Sequence, residues 1–232
     1  MLIKTMRYFK NWKSFIFIVL VGCGFSFAAC NITSSNSTPY YHFSKTAQDY
    51  CLFSKGTNWT YKNDQTGTTY KISINKLNSY VGFHVKNPLT NAYSYDAVEM
   101  QYDSNGLQLS KALITAGPTL AGNTEANDLY RIFWNDSSFI LAFAPGYTMG
   151  EEQRLGGEEG LYTNLEVLST FSVNNKEFSN VYHTQVIKAE NNADSARYEF
   201  YFAPHNGLIK WMKVYKGVTI SYSLQSDSIV QQ

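Results

Sequence analysis

From Trp59 to Leu224 the chain keeps returning to one arrangement, an apolar or aromatic side chain at every second position in short runs cut by Gly, Asn, Asp or Pro. Tyr70, Ile72 and Ile74 alternate with Lys71 and Ser73; Val81, Phe83 and Val85 with Gly82 and His84; Tyr198, Phe200 and Phe202 with Glu199 and Tyr201; Val218, Ile220, Tyr222 and Leu224 with Thr219, Ser221 and Ser223. A period of two places one set of side chains on a buried face and the other toward water, which is a half-buried strand and cannot sit as a helix. No segment sustains a helical period beyond about ten residues. The spacing predicts an all-β, antiparallel meander of about 11 to 12 strands, built as a curved sheet, a sandwich or a barrel.

The punctuation sharpens this expectation. Asp64 to Gly67, Asn105-Gly106, Asn174-Asn175, Pro204 to Gly207 and Lys216-Gly217 read as turns, since Gly and Asn reach the positive φ that tight hairpins require. In Tyr93 to Tyr102 the apolar phase slips between Ala97 and Val98, which predicts a β-bulge there. Leu129 to Trp134 and Phe139 to Phe143 are more continuously apolar, the pattern of strands that are central or covered on both faces. Residues 117–128 read as a loop, and Pro145 to Asn164 as the longest irregular segment. Ser44 is placed to cap a short helix over Lys45 to Asp49.

The N-terminus has a different character. Lys4, Arg7, Lys10 and Lys13 come without an acidic residue and precede an uncharged apolar run, the two leading parts of an export signal. The run is short for a permanent span, which needs roughly 20 apolar residues. Two cysteines stand where a lipoprotein signal would be cut: Cys23 after Leu20-Val21-Gly22, and Cys30 after Phe27-Ala28-Ala29. Cleavage before Cys30 uses the whole run and leaves the polar, flexible NITSSNST as a tether, whereas cleavage before Cys23 leaves an apolar mature terminus. Cys30 is therefore the expected lipidation site and Cys23 the alternative, beside a non-lipidated cut after Ala28 or Ala29. The expected organisation is a signal peptide over residues 1–29, a lipidated Cys and flexible tether over 30–48, and a single β-rich domain over 49–232. More than one acyl chain anchors stably where a single chain does not, so the expected partner is a membrane, reached through the acylated Cys, and the expected location is the bacterial cell envelope.

Removing residues 1–30 takes away four of 19 basic residues and none of 18 acidic ones, leaving a net charge of about −3. Nucleic acid is excluded as an expected partner, because phosphate binding needs clustered Lys and Arg. With Cys23 and Cys30 accounted for, Cys51 has no disulfide partner, and its apolar neighbours point to a buried, inert thiol.

Candidate chemistry is sparse. His42, His84, His183 and His205 have no metal-ligand spacing, and no nucleophile elbow, P-loop or dinucleotide fingerprint occurs. Asp96 and Glu99, three apart in a strand, face opposite sides. No catalytic residue, metal or cofactor is expected, and a secreted hydrolase ranks third among the functions considered. The Gly-rich acidic loop with Glu151, Glu152, Arg154, Glu158 and Glu159 is a candidate for contacting a ligand or partner. Trp59, Trp134 and Trp211 form a candidate aromatic face that could stack on sugars or cover a lipid. The leading expectation is a non-enzymatic binding or assembly module acting on an envelope protein or other ligand. The alternative is a carrier of an apolar acyl-chain ligand in a concave sheet, which needs a cavity of several hundred cubic ångströms.

Two local patterns carry a resemblance. Gly56-x-x-Trp59-x-Tyr61 at the start of the domain and YFAPHNGLIK over Tyr201 to Lys210 near its end are similar to the opening strand and closing hairpin of a group of poorly characterised bacterial envelope lipoproteins. The resemblance implies an exported β-rich lipoprotein and supplies no catalytic residue.

Overall fold

In the computed structural model the described residues are 38–230, apart from 87, 89, 135–137, 157–159 and 191–193. They form 13 strands and one short helix. In chain order these are β1 (Tyr40–Tyr41), α1 (Lys45–Cys51), β2 (Asn58–Asn63), β3 (Thr69–His84), β4 (Tyr93–Ser104), β5 (Leu109–Thr115), β6 (Leu129–Trp134) and β7 (Ser138–Phe143). Then follow β8 (Glu152–Arg154), β9 (Leu161–Val173), β10 (Lys176–Glu190), β11 (Asp194–Ala203), β12 (Gly207–Tyr215) and β13 (Val218–Ser228).

All belong to one sheet in the order β7-β6-β5-β4-β3-β2-β13-β12-β11-β10-β9-β8, with β1 attached parallel to β4. Every other pairing is antiparallel. Two meanders run outward from a central pair, β2 and β13, and the sheet does not close into a barrel. The turns are those the sequence announces. Asn174 and Asn175 hold φ of 48° and 64°, and Lys216 and Gly217 φ of 50° and 77°, which match the twist of a tight hairpin.

The sheet rolls so that both meanders share one core. Its inner face carries Val98, Met100, Ile114, Ile132 and Ile140 from the first meander and Val186, Phe200, Phe202 and Ile209 from the second, all buried. β7, although an edge of the sheet, lies against β10 and β11. This explains why Ile140 to Phe143 are all buried: the strand is covered on both faces without being central.

An edge strand leaves backbone groups unpaired, and here side chains meet them. Thr184 donates its hydroxyl to the Ala142 carbonyl (2.7 Å), and the Ala144 amide donates to the Tyr162 hydroxyl (2.9 Å). That hydroxyl donates in turn to Asn164 Oδ1 (2.5 Å), while Asn164 Nδ2 reaches the carbonyls of Ala144 and Tyr147 (both 2.9 Å). Lys188 Nζ donates to the Phe139 carbonyl (3.1 Å). A polar seam thus takes the place of strand pairing.

α1 closes one end of the roll. Ser44 caps it, its hydroxyl accepting from the Ala47 amide (3.1 Å), and Ala47, Tyr50 and Cys51 turn inward. Asp128, buried, accepts from the amides of Ser44 (2.9 Å) and Gly117 (3.1 Å) and so fastens the cap to the β5–β6 loop. Burial raises its carboxyl pKa. Cys51 is free and buried, and burial raises its thiol pKa as well, which leaves it inert.

Three details depart from the sequence reading. The bulge falls on β3 at Asn75, between Ile74 and Lys76, and β4 stays in register through Ala97 and Val98. The slip there has another cause: Ala97 is buried as well as Val98, so two consecutive residues of β4 are covered. Residues 145–164 are less irregular than their glycines suggest, because β8 adds a short edge to β9. Finally, β1 and the first turn of α1 lie inside the stretch read as a tether, which is joined to the body from Tyr40 by pairing with Ser94 and Tyr95.

Candidate functional site

The three tryptophans singled out above line one aromatic cleft between the meanders, at different depths. Trp59 lies deepest. Its indole N–H donates to the Asn206 carbonyl (2.7 Å), its ring meets Phe53 edge-on, and it is buried, so it belongs to the core and not to an exposed face. Tyr61 donates to the Leu208 carbonyl (2.6 Å). These two bonds clasp the backbone on either side of Gly207, whose φ is 77° and where a Cβ would stand 2.9 Å from the Phe53 ring. The Gly56–Tyr61 and Tyr201–Lys210 motifs are therefore two halves of one packing unit.

Above this layer the Tyr102 and Tyr130 hydroxyls share a hydrogen bond (3.0 Å). Burial drives the pKa values of Tyr61, Tyr102 and Tyr130 upward, so their phenols stay protonated and serve as fixed donors and acceptors. The enclosed part of the cleft amounts to about 20 Å³, room for about one water molecule. The space of several hundred cubic ångströms that an acyl-chain carrier needs is not present there.

The cleft opens at the end of the roll opposite α1. There Trp134, at the tip of β6, meets Trp211 of β12 with ring centroids 5.1 Å apart and planes inclined by 46°. Trp211 stacks on Tyr222 (4.2 Å), which meets Tyr70 edge-on. Lys213 lies over the rings of Tyr198 (5.2 Å) and Tyr215 (5.5 Å). Gln108, Trp134, Ser138, Tyr198, Trp211 and Lys213 line a depression of about 270 Å³ at this mouth. The Trp134 indole N–H is buried and has no acceptor among the described residues. Such a donor is costly to leave unmet.

The remaining candidates are dispersed. Glu151, Glu152 and Arg154 are exposed at the β8 edge, and Glu158 and Glu159 lie outside the described residues, as do Cys23 and Cys30. Among the described residues no three His, Cys, Asp or Glu side chains stand close enough to hold a metal ion. Asp96 is occupied by Tyr40 (2.6 Å) and His42 (2.9 Å), and Glu99 by Lys111 (3.0 Å), so the two carboxylates serve separate networks. His84 stacks on Tyr93. His183 sits in the other meander, between Glu166 (3.3 Å) and Glu199 (3.1 Å) with Tyr201 stacked on its ring. The hydrogen bond from His183 holds the Glu199 carboxyl below its ordinary pKa.

No family model and no curated protein matches the chain. Among solved structures it is similar to the crystal structure of a putative lipoprotein from Parabacteroides distasonis ATCC 8503. The identity is 12%, the alignment covers 78% of this chain and 99% of that chain, and the TM-score is 0.35. No helix among the described residues is long and apolar enough to cross a membrane.

Proposed function

We propose that the protein is an exported, lipid-anchored binding module of the cell envelope, which presents the aromatic mouth of its rolled sheet to a sugar-ring ligand. The observation that carries the binding half is the Trp134–Trp211 pair, with its unmet indole N–H, over a depression edged by Gln108, Ser138 and Lys213. Aromatic faces take the C–H face of a sugar, and the polar rim takes its hydroxyls. The space behind the mouth is filled, which leaves little room for an acyl chain there. The sequence supports the anchoring half: a basic start, an apolar run and Cys30 ahead of a polar tether.

Binding is tested by titrating the protein with malto-, cello- and chito-oligosaccharides while following tryptophan emission. One of these series shifts the emission saturably, and Trp134→Ala and Trp211→Ala each abolish the shift. An emission indifferent to all three overturns the sugar reading. Anchoring is tested by growing cells on radiolabelled palmitate: the wild-type protein takes up label and a Cys30→Ser variant does not. Equal labelling of both moves the anchor away from Cys30.

A further inference from the structure

β3 is 16 residues long and runs with β4 past the core as an arm, flanked on its β4 side by the two residues of β1. After the bulge at Asn75, Leu77, Ser79, Val81 and Phe83 fall on the side of the ladder that carries Met100 and Val98 opposite Leu77 and Ser79. In the body that face is covered. On the arm it stands open: Val81 is 61% exposed, Phe83 59% and Val85, just beyond the strand, 71%. The other face is dressed. The Tyr95 ring crosses Gly82, where a Cβ would lie 2.3 Å from it, His84 stacks on Tyr93, and Tyr41 meets Tyr93 edge-on.

Single exposed apolar residues are ordinary on a protein surface, but a contiguous stripe in the core phase marks a contact. Its surroundings indicate which kind. Residues 77–95 contain Lys86 and His84 and no carboxylate; Asp96, opposite Val81 in the ladder, is bonded to Tyr40 and His42. Tyr80, half-exposed, stands beside the stripe, and Tyr93, Tyr95, Tyr40 and Tyr41 lie along the outer part of the arm. Tyrosines around an apolar tip with a cationic edge match the chemistry of a membrane–water interface that carries anionic lipid.

The chain also arrives at the right place. The tether read from Cys30 enters the fold at Tyr40, which pairs with Ser94 on the arm itself. The ten residues from Cys30 to Tyr40 reach at most about 33 to 36 Å when extended, so an acylated Cys30 holds the bilayer within range of the arm.

We infer that the β3–β4 arm beds Val81, Phe83 and Val85 in the surface of the bilayer that holds the N-terminal anchor. The inference rests on the lipid-anchor reading above. Lipidation fixes the distance of the domain from the membrane, and the arm fixes its orientation, with the aromatic mouth at the far end of the roll turned away from the lipid.

The test uses the mature protein, from full-length expression, reconstituted into vesicles of phosphatidylethanolamine and phosphatidylglycerol. Val85→Cys and, as a control at the other end of the roll, Val218→Cys are labelled with nitrobenzoxadiazole; Cys51 is buried and stays unlabelled. Emission from position 85 rises severalfold over the vesicle-free value and is quenched by lipids carrying a doxyl group near the headgroup, while position 218 stays water-like. Equal, water-like emission from both positions overturns the inference, as does a dry signal at 85 that grows with protein concentration in the absence of lipid, which would assign the arm to a second copy of the chain. Wild-type protein reports separately on the anchor: a thiol at Cys30 that accepts the label refutes acylation there, whatever position 85 does.

Discussion

The seam along β7 and the mouth at Trp134 are built from the same materials, aromatic rings and polar groups on facing strands, and they handle their hydrogen bonds in opposite ways. At the seam Tyr162, Asn164 and Thr184 are fully buried, and each has its polar atoms matched to a backbone partner or to one another. At the mouth the Trp134 N–H is buried with no acceptor among the described residues. A dry site rewards complete pairing and penalises every gap. The seam therefore holds the roll shut with its polar groups matched, while the mouth keeps one buried donor unmet among the described residues.

The contrast breaks most visibly at Asn164. Asn164→Ala removes the partner of the Ala144 and Tyr147 carbonyls and of the Tyr162 hydroxyl, and is expected to cost about 4 kcal/mol, read as a lower urea midpoint. Tyr162→Phe deletes one hydroxyl that both accepts and donates, and should cost about 2 kcal/mol in the same titration. Trp134→Phe is the matching edit at the mouth. It removes a polar group that has no partner, so stability is expected to stay within about 1 kcal/mol of wild type while sugar-induced emission changes are lost. A large destabilisation by Trp134→Phe would show that its N–H is matched, and would remove the distinction.

The smallest effect concerns pH. Glu199 has a folded pKa held below its ordinary value, chiefly by the His183 hydrogen bond. Its stabilising contribution is present above the unfolded value and is lost as pH falls through the depressed folded value. Glu199→Gln should therefore narrow its stability gap from wild type on acidification below about pH 4.5. A gap that widens there would reverse the assignment.

Much of the scaffold was legible in the sequence because a strand's alternation and a hairpin's turn residues are local properties. Tyr198, Phe200 and Phe202 lie inward as their spacing requires, and Ser44 caps its helix. What eluded the sequence depends on which strands meet across the roll. Asn164 closes a segment that reads as irregular and nothing local marks Thr184 as interior; the docking of β7 on β10 makes them so. Trp134 and Trp211 come from different meanders, so no spacing announces their contact, and Trp59 has the same residue type and a different fate. The slip at Ala97 misplaced the bulge because burial of two successive residues produces the same local pattern as an inserted one. The arm was read correctly as a strand, yet alternation alone does not say that its apolar side extends beyond the core.

The central pairing of β2 with β13 also dictates the order in which this molecule can be made. Asp64, in the turn after β2, bonds to Ser223 of β13, 159 positions away, and the clasp around Gly207 joins the same distant regions. While the chain is still emerging, the early meander can form hairpins, including β2 with β3, but has no second neighbour for β2 and no second wall for its core. Contacts this remote form slowly, since a long loop must close before they contribute. The body therefore becomes cooperative only when its last strand is delivered, and loss of β13 would leave two separate half-sheets with exposed edges instead of a slightly shorter protein.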